Sequence, residues 1–150
     1  MTKLKVGDTA PEINSVNQNG DTISLSQFKG KKIILYFYPK DMTPGCTAQS
    51  CNLSENYVKL QKNGFEVLGV SCDSVERHQK FIEKYSFPFN LISDEEKKVV
   101  KDYGVWGLKK FMGKEYMGIN RTTFIINESG IIDKIITKVN TKDHSTQILK

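Results

Sequence analysis

The chain has 150 residues, of which 38% are hydrophobic and 26% are charged, and its formal net charge at pH 7 is +5. These values indicate one globular domain, residues 1–150, that buries an adequate core without covalent staples. No apolar run approaches the ~18 residues that cross a bilayer, so we expect no membrane partner. The lysines are scattered and do not form a basic stripe with interleaved aromatic residues, which argues against nucleic-acid binding.

The cysteines and histidines suggest a compartment and argue against a metal site. The N-terminus lacks the apolar stretch of a secretory signal, so we expect a cytoplasmic protein. In a reducing cytosol, cysteines are more often catalytic, metal-binding or inert than bridged. The three cysteines do not pair with His78 or His144 at the spacing of zinc ligands. We therefore predict neither a metal nor a cofactor.

The hydrophobic pattern predicts a series of strands and helices along the chain. Asn19-Gly20 between two short apolar runs is a strong signal for a two-residue hairpin turn. The predicted strands are 13–16, 22–25, 32–38, 65–71, 89–92, 122–127 and 131–139. The predicted helices are 46–63, 75–85, a third that Ser93 or Asp94 caps and that ends near 103, and 143–149. Residues 104–118 are predicted to form a glycine-rich loop.

This order of elements predicts the fold class. Strands that alternate with helices and are followed by a hairpin imply helices covering a mixed central sheet. The hairpin requires an antiparallel part, so the fold is not a purely doubly wound one. We therefore predict an α/β fold: a thioredoxin-like three-layer sandwich with a mixed central sheet and an N-terminal β-hairpin extension.

The segment from Pro39 to Cys46 connects a buried strand to a helix and favours a reactive thiol. Thr43 suits the N-cap, and Pro44 suits the first helical position, so Cys46 falls in the first turn. Unpaired backbone N–H groups and the helix dipole favour thiolate over thiol there. The alternative, which the local pattern leaves open, is a small residue in a well-capped helix.

A second cysteine, Cys51, lies five positions beyond Cys46. In an intact helix this step is about 7.5 Å of rise, which places the two Cα atoms roughly 8–9 Å apart. A disulfide needs a Cα separation under about 7 Å, so the two cysteines can bond only if the helix unwinds locally. A plain core residue is the open alternative for Cys51. Cys72, at the end of a buried strand, is better explained as a small core-filling thiol.

The spacing Pro39-x-x-x-Thr43-x-x-Cys46 resembles the peroxidatic motif of the peroxiredoxins. The five-residue step to Cys51 is similar to the Q-type subgroup, also called the bacterioferritin comigratory proteins. The resemblance extends over nearly the whole chain. It also includes segments 7–11, 67–71, 105–107, 111–114 and 121–124.

The resemblance implies a thioredoxin fold and the reduction of hydrogen peroxide and organic hydroperoxides without metal, haem or flavin. By it, Cys46 is the peroxidatic nucleophile, and its sulfenic acid is resolved as an intramolecular disulfide with Cys51. Thr43 offers its hydroxyl to the sulfur and the peroxide, Pro39 shields the pocket, and Arg121 is the cation beside the thiolate. The expected partners are a hydroperoxide substrate and thioredoxin or a similar dithiol reductant, and the protein is expected to be a monomer.

Some alternatives remain open at the level of sequence. Arg121 is one of only two arginines, with Arg77, and could serve in a surface ion pair. A general disulfide oxidoreductase is disfavoured because such enzymes use Cys-x-x-Cys, whereas four residues separate Cys46 from Cys51 here. A redox-sensing binding module, in which the unwound helix exposes a partner surface, is the non-enzymatic alternative.

Overall fold

The structure is a computed structural model that describes residues 2–150. Its strands are β1 (Asn14–Val16), β2 (Thr22–Ser24), β3 (Lys32–Phe37), β4 (Phe65–Ser71), β5 (Asn90–Ser93), β6 (Trp106–Phe111), β7 (Lys114–Ile119), β8 (Thr122–Ile126) and β9 (Ile132–Ile136). Its α-helices are α1 (Pro44–Glu55), α2 (Tyr57–Lys62), α3 (Val75–Tyr85), α4 (Lys98–Asp102) and α5 (His144–Leu149). None of the helices in residues 2–150 is both long and apolar enough to cross a membrane.

Seven strands form one mixed sheet in the order β2-β1-β5-β4-β3-β8-β9. Strand β3, in the interior of the sheet, pairs in parallel with β4 and antiparallel with β8. The N-terminal hairpin β1–β2 is attached to the far edge through the pairing of Val16 with Ser93. The mixed sheet and the N-terminal hairpin are therefore confirmed.

The residues of β3 explain why the sheet has helices on both faces. The strand is apolar at almost every position, which is typical of a strand buried on both sides. Ile33, Leu35 and Phe37 join the core that includes α4, whereas Ile34 and Tyr36 join the core beneath α1, α2, α3 and α5. This alternation along one strand produces the three layers that the sequence predicts.

The prediction of a loop at 104–118 is wrong, because strands β6 and β7 form a separate two-stranded sheet there. Phe111 pairs with Lys114, which leaves Met112 and Gly113 as a two-residue turn. Both residues have positive φ, 53° and 79°, as a type I′ turn requires. The side chains near the tip are exposed, so the sequence carries no clear alternation between buried and exposed positions.

The helix predicted at 46–63, with Pro44 as its first position, begins at Pro44 as expected but is divided in two. Asn56 separates α1 from α2, with φ −103° and ψ 10°. Its side-chain Nδ2 donates to the Asn52 carbonyl at 2.8 Å. Asparagine commonly competes in this way with the helical backbone, which explains the interruption.

The helix predicted from Ser93 or Asp94 to residue 103 is shorter than expected, because α4 covers only Lys98–Asp102. Lys97 adopts a left-handed conformation, φ 62°, which stops the helix from extending toward the N-terminus. Asp94 nevertheless acts as the expected cap, because its carboxylate accepts the backbone N–H groups of Val99 and Val100 at 3.2 and 2.9 Å.

Candidate active site

Cys46 lies in the first turn of α1, directly after the turn that follows β3. Thr43 has the extended backbone of an N-cap residue, and Pro44 occupies the first helical position, as the sequence predicts. Proline has the backbone angle of a helix already fixed, and it lacks the N–H that would be unpaired there. Only 1% of Cys46 is exposed. The thiol is therefore a buried group at the end of a helix that presents unpaired N–H groups.

Arg121 is the positive charge beside this thiol. Its Nη2 donates to Cys46 Sγ at 3.4 Å, and its Nη1 donates to Gln49 Oε1 at 2.7 Å. Gln49 is fully buried and lies one turn beyond Cys46. A Cβ on Gly45 would lie only 3.2 Å from Nη2, so glycine leaves room for the guanidinium. The planar guanidinium thus bonds to two side chains of α1 at once, the Cys46 sulfur and the Gln49 amide oxygen.

The sheet brings Arg121 to Cys46 although 75 residues separate them. Arg121 directly precedes β8, and the antiparallel pairing of β8 with β3 sets Thr122 opposite Phe37. The start of β8 therefore lies beside the end of β3, where the chain enters the segment that leads to α1. The sequence alone gives no register for this pairing.

The Thr43 hydroxyl does not cap α1. It donates instead to the Lys40 carbonyl at 2.8 Å, across a tight turn. The backbone carbonyl of Thr43 accepts the N–H of Thr47 at 2.9 Å, so the residue begins the helix through its backbone alone. The prediction of an N-cap is thus correct for the backbone of Thr43 and wrong for its side chain.

Pro39 lies on a groove of about 380 Å³ between the segment after β3 and the β6–β7 hairpin. Residues from both sides line it, among them Lys40, Cys72, Trp106, Lys109 and Tyr116. The sequence predicts a loop where the hairpin lies, so this wall of the groove is not evident from the sequence.

Lys109 is a second cation near the site, and it is not evident from the sequence. Its Nζ donates to the Ile119 carbonyl at 2.9 Å, two residues before Arg121. Burial lowers the pKa of Lys109, and the positive charge of Arg121 lowers it further, while Cys46 acts in the opposite direction. A lysine placed in a predicted loop carries no signal that would distinguish it from the other lysines of the chain.

The other two cysteines are half-buried, and all three are free thiols. Cys51 lies in the middle of α1, and burial followed by the charge of Glu55 raises its pKa. Cys72 follows β4, and burial together with the charge of Asp94 raises its pKa to about 11. Because α1 is continuous from Pro44 to Glu55, Cys46 and Cys51 share an unbroken helix, as the sequence predicts.

One group of side chains in residues 2–150 has the spacing of a metal site. Asp41, Asp73 and His78 each place one ligand atom within 4.8 Å of the others, and all three are buried. Their ligand atoms are already engaged: His78 Nδ1 lies 2.6 Å from Asp41 Oδ2, and Arg77 Nε donates to Asp73 Oδ1 at 2.9 Å. The hydrogen bonds account for the cluster, and we assign no ion to it.

Comparison with known proteins identifies the family. The sequence pattern of the AhpC/TSA family matches residues 6–135. A putative peroxiredoxin bcp from Buchnera aphidicola is 50% identical over 149 residues, which cover 99% of this chain and 94% of that protein. Peroxiredoxin Bcp from Bacillus subtilis is 45% identical over 147 residues, 98% of this chain and 94% of the relative.

Solved structures of peroxiredoxins have the same fold. PrxQ from Xylella fastidiosa superposes with a TM-score of 0.92 at 29% identity, covering 99% of this chain and 95% of that one. A bacterioferritin comigratory protein from Xanthomonas campestris gives a TM-score of 0.87 at 30% identity, with 99% and 95% covered. These likenesses confirm the thioredoxin-like fold. The chain therefore belongs to the AhpC/TSA family and, within it, to the Bcp or Q-type peroxiredoxins, which are thiol peroxidases.

Proposed function

We propose that Cys46 is the peroxidatic residue of this thiol peroxidase and that Arg121 is its cationic partner. The observation that carries the proposal is the 3.4 Å contact between Arg121 Nη2 and Cys46 Sγ at the start of α1. The thiolate attacks one peroxide oxygen, so an S–O bond forms as the O–O bond breaks. The departing oxygen takes up a proton and leaves as water or an alcohol, and Cys46 becomes a sulfenic acid. A guanidinium stabilises both the thiolate and the negative charge that develops on the departing oxygen.

Thr43 and Pro39 complete the proposed site. The Thr43 hydroxyl donates a hydrogen bond to the Lys40 carbonyl at 2.8 Å. The lone pairs of its oxygen therefore remain available to accept a hydrogen bond from the O–H group of the peroxide. Pro39 lines the groove beside the β6–β7 hairpin, whose lining does not include Cys46, and it has no N–H group that would compete for the substrate. The substrates we propose are hydrogen peroxide and organic hydroperoxides. The relative from Xanthomonas campestris, studied for its alkyl peroxide reduction activity, supports the second class.

Cys51 is the resolving residue in this proposal. Its thiol attacks the sulfur of the Cys46 sulfenic acid, water leaves, and a disulfide forms. The intact α1 keeps the two residues apart, so its first turns unwind before the bond can form. The composition of the helix supports this step, because Thr47, Ser50 and Asn52 are weaker helix formers than alanine or leucine. We further propose that a dithiol protein of the thioredoxin type reduces the disulfide and that the enzyme acts as a cytoplasmic monomer.

Stopped-flow oxidation with hydrogen peroxide tests these roles, with sulfenate and disulfide followed separately. We expect Cys46→Ser to abolish rapid oxidation and Cys51→Ser to accumulate sulfenate without disulfide. Cys72→Ser is the matched control, and it should retain both steps. Rapid oxidation in Cys46→Ser would overturn the assignment. A disulfide to Cys72 in the Cys51→Ser variant would transfer the resolving role.

Turnover with an added dithiol reductant distinguishes the peroxidase from the remaining alternative, a redox sensor. A peroxidase consumes peroxide catalytically, whereas a sensor oxidises once. Consumption limited to one equivalent per chain in the presence of reductant would contradict the peroxidase assignment.

A further inference from the structure

The turn that precedes the reactive cysteine has an unfavourable backbone conformation. Lys40 to Thr43 form a tight turn, closed by the hydrogen bond from the Thr43 hydroxyl to the Lys40 carbonyl. Met42, at its third position, has φ 68°. Turns with positive φ at this position normally have glycine or asparagine there, because a side chain disfavours the left-handed region. Such strain persists only where the surrounding structure holds the backbone firmly.

Asp41, next to Met42, supplies that hold through every polar group it has. Its backbone N–H donates to Asp73 Oδ2 at 2.8 Å, and its carbonyl accepts from Arg77 Nη2 at 3.2 Å. The Tyr38 hydroxyl donates to Asp41 Oδ1 at 2.6 Å, and His78 Nδ1 lies 2.6 Å from Oδ2. Asp41 is 1% exposed, so no solvent competes for these bonds.

The partners of Asp41 are themselves fixed by elements other than α1. His78 Nε2 lies 3.0 Å from the Ile92 carbonyl, so each of its ring nitrogens has a hydrogen-bond partner. Asp73 accepts the Ser71 hydroxyl at 2.6 Å as well as Arg77 Nε at 2.9 Å. These residues belong to α3 and to the ends of β4 and β5, so the hold on Asp41 does not depend on α1.

We propose that Asp41 is a positioning residue for the peroxidase reaction, clamping the Lys40–Thr43 turn so that Thr43 and the start of α1 stay in place. The proposal rests on the assignment of Cys46 as the peroxidatic residue. Asp41 acts through Thr43 and through the first turn of α1, and it does not touch the reacting sulfur. Because the clamp lies outside α1, it persists while α1 unwinds for disulfide formation and gives the helix a fixed point from which to re-form.

The test removes the clamp and then removes the strain. In Asp41→Ala we expect Cys46 oxidation by hydrogen peroxide to slow by about 10- to 100-fold, the range for a misplacement of up to about 1 Å. Adding Met42→Gly should recover about fivefold or more of that loss, because glycine tolerates the left-handed conformation. Met112→Gly is the matched control. It is the same substitution at another left-handed methionine, φ 53°, on the hairpin tip, and it should recover nothing.

A second variant and a second readout keep the test decisive if Asp41→Ala folds poorly. Arg77→Gln removes only the contact to the Asp41 carbonyl and the Asp73 ion pair, and the Arg77 side chain is 46% exposed. We expect this variant to fold and to slow Cys46 oxidation by about two- to fivefold. The second readout is the ultraviolet absorbance of the thiolate, followed against pH in each variant. The pH midpoint of this titration should change in those variants in which the oxidation rate changes.

Two results would overturn the positioning role. One is loss of thermal stability with an unchanged oxidation rate and an unchanged thiolate titration, which a merely structural residue would give. The other is equal recovery by Met42→Gly and Met112→Gly. Cys46→Ser, measured alongside, separates this failure from failure of the proposed function, because only the latter leaves rapid oxidation intact in that variant.

Discussion

Arg121→Met is the substitution that most directly probes the proposed chemistry. It removes the positive charge and both donors, the one at 3.4 Å from Cys46 Sγ and the one at 2.7 Å from Gln49 Oε1. Loss of one oxyanion donor typically costs about 2.7–4 kcal/mol of barrier, or about 10²- to 10³-fold in rate. We expect the second-order rate of Cys46 oxidation to fall by that amount. Arg121→Lys keeps the charge but cannot reproduce the two donors that the planar guanidinium holds in fixed positions. Its rate should therefore lie between those of the wild type and Arg121→Met.

The same substitution also carries a structural cost that the experiment must separate from the chemical one. Gln49 is buried, and its Nε2 has no hydrogen-bond partner among the described residues. Loss of Arg121 would leave Oε1 unpaired as well, which costs about 1–3 kcal/mol in the free energy of unfolding. Adding Gln49→Leu removes the unpaired amide. We therefore expect the double variant to regain stability without regaining rate.

Single-turnover stopped-flow kinetics and urea unfolding on the same samples provide the two measurements. Lys110→Met is the charge-matched control, because Lys110 is an exposed hairpin lysine with a side chain 75% accessible and its nearest acidic partner 3.7 Å away. An Arg121→Met rate within about threefold of the wild type would refute the role of the guanidinium. Recovery of the rate together with stability in the double variant would show that Arg121 supports only the fold.

Three further predictions concern groups around the site. Burial lowers the pKa of His144, so its contribution to the free energy of unfolding is complete above about pH 6.5 and declines as the pH falls below it, by at most about 1.4 kcal/mol per unit. Urea unfolding should show this slope in the wild type, and a slope unchanged in His144→Gln would contradict it. Cys72, with a pKa of about 11, should react slowly with iodoacetamide at neutral pH and faster as the pH approaches that value, as judged by peptide mass spectrometry. Rapid labelling of Cys72 in the folded protein at neutral pH would contradict this. Amide exchange in α1 should be faster in the oxidised protein than in the reduced one, and equal protection would exclude the proposed unwinding.

The sequence predicts those parts of the fold that local chemistry determines. The apolar residues of β3 admit little but a buried strand, and Pro44 fixes where α1 begins. The position of Cys46 in the first turn follows from these two facts. The hairpin β6–β7 is missed because its exposed residues, such as Phe111, carry no pattern of alternating burial.

Other features of the site depend on contacts between distant parts of the chain. The Thr43 hydroxyl donates to Lys40 across a turn in which Met42 adopts a left-handed conformation, which the identity of a methionine does not predict. Arg121 reaches Cys46 only through the register of β8 on β3. The sequence does not distinguish Asp41 from the other acidic residues. Its role depends on contacts with Asp73, after β4, and with His78 of α3, which form only in the folded chain. Motif spacing can identify which residues react, but the groups that hold them become visible only in three dimensions.

In the proposed cycle the site divides into a part that stays in place and a part that unwinds, which explains how one helix can serve both steps. Arg121 directly precedes β8 of the central sheet, and Asp41 in the turn before α1 is hydrogen-bonded to Asp73 and to His78 of α3. Cys46 and Cys51 belong to α1, which must unwind for the disulfide to form. In this proposal the residues that precede α1 stay in place, so α1 can re-form from Thr43 onward once the disulfide is reduced. A reactive thiol that depends on a helix start can therefore lose that helix in each cycle and regain the same geometry.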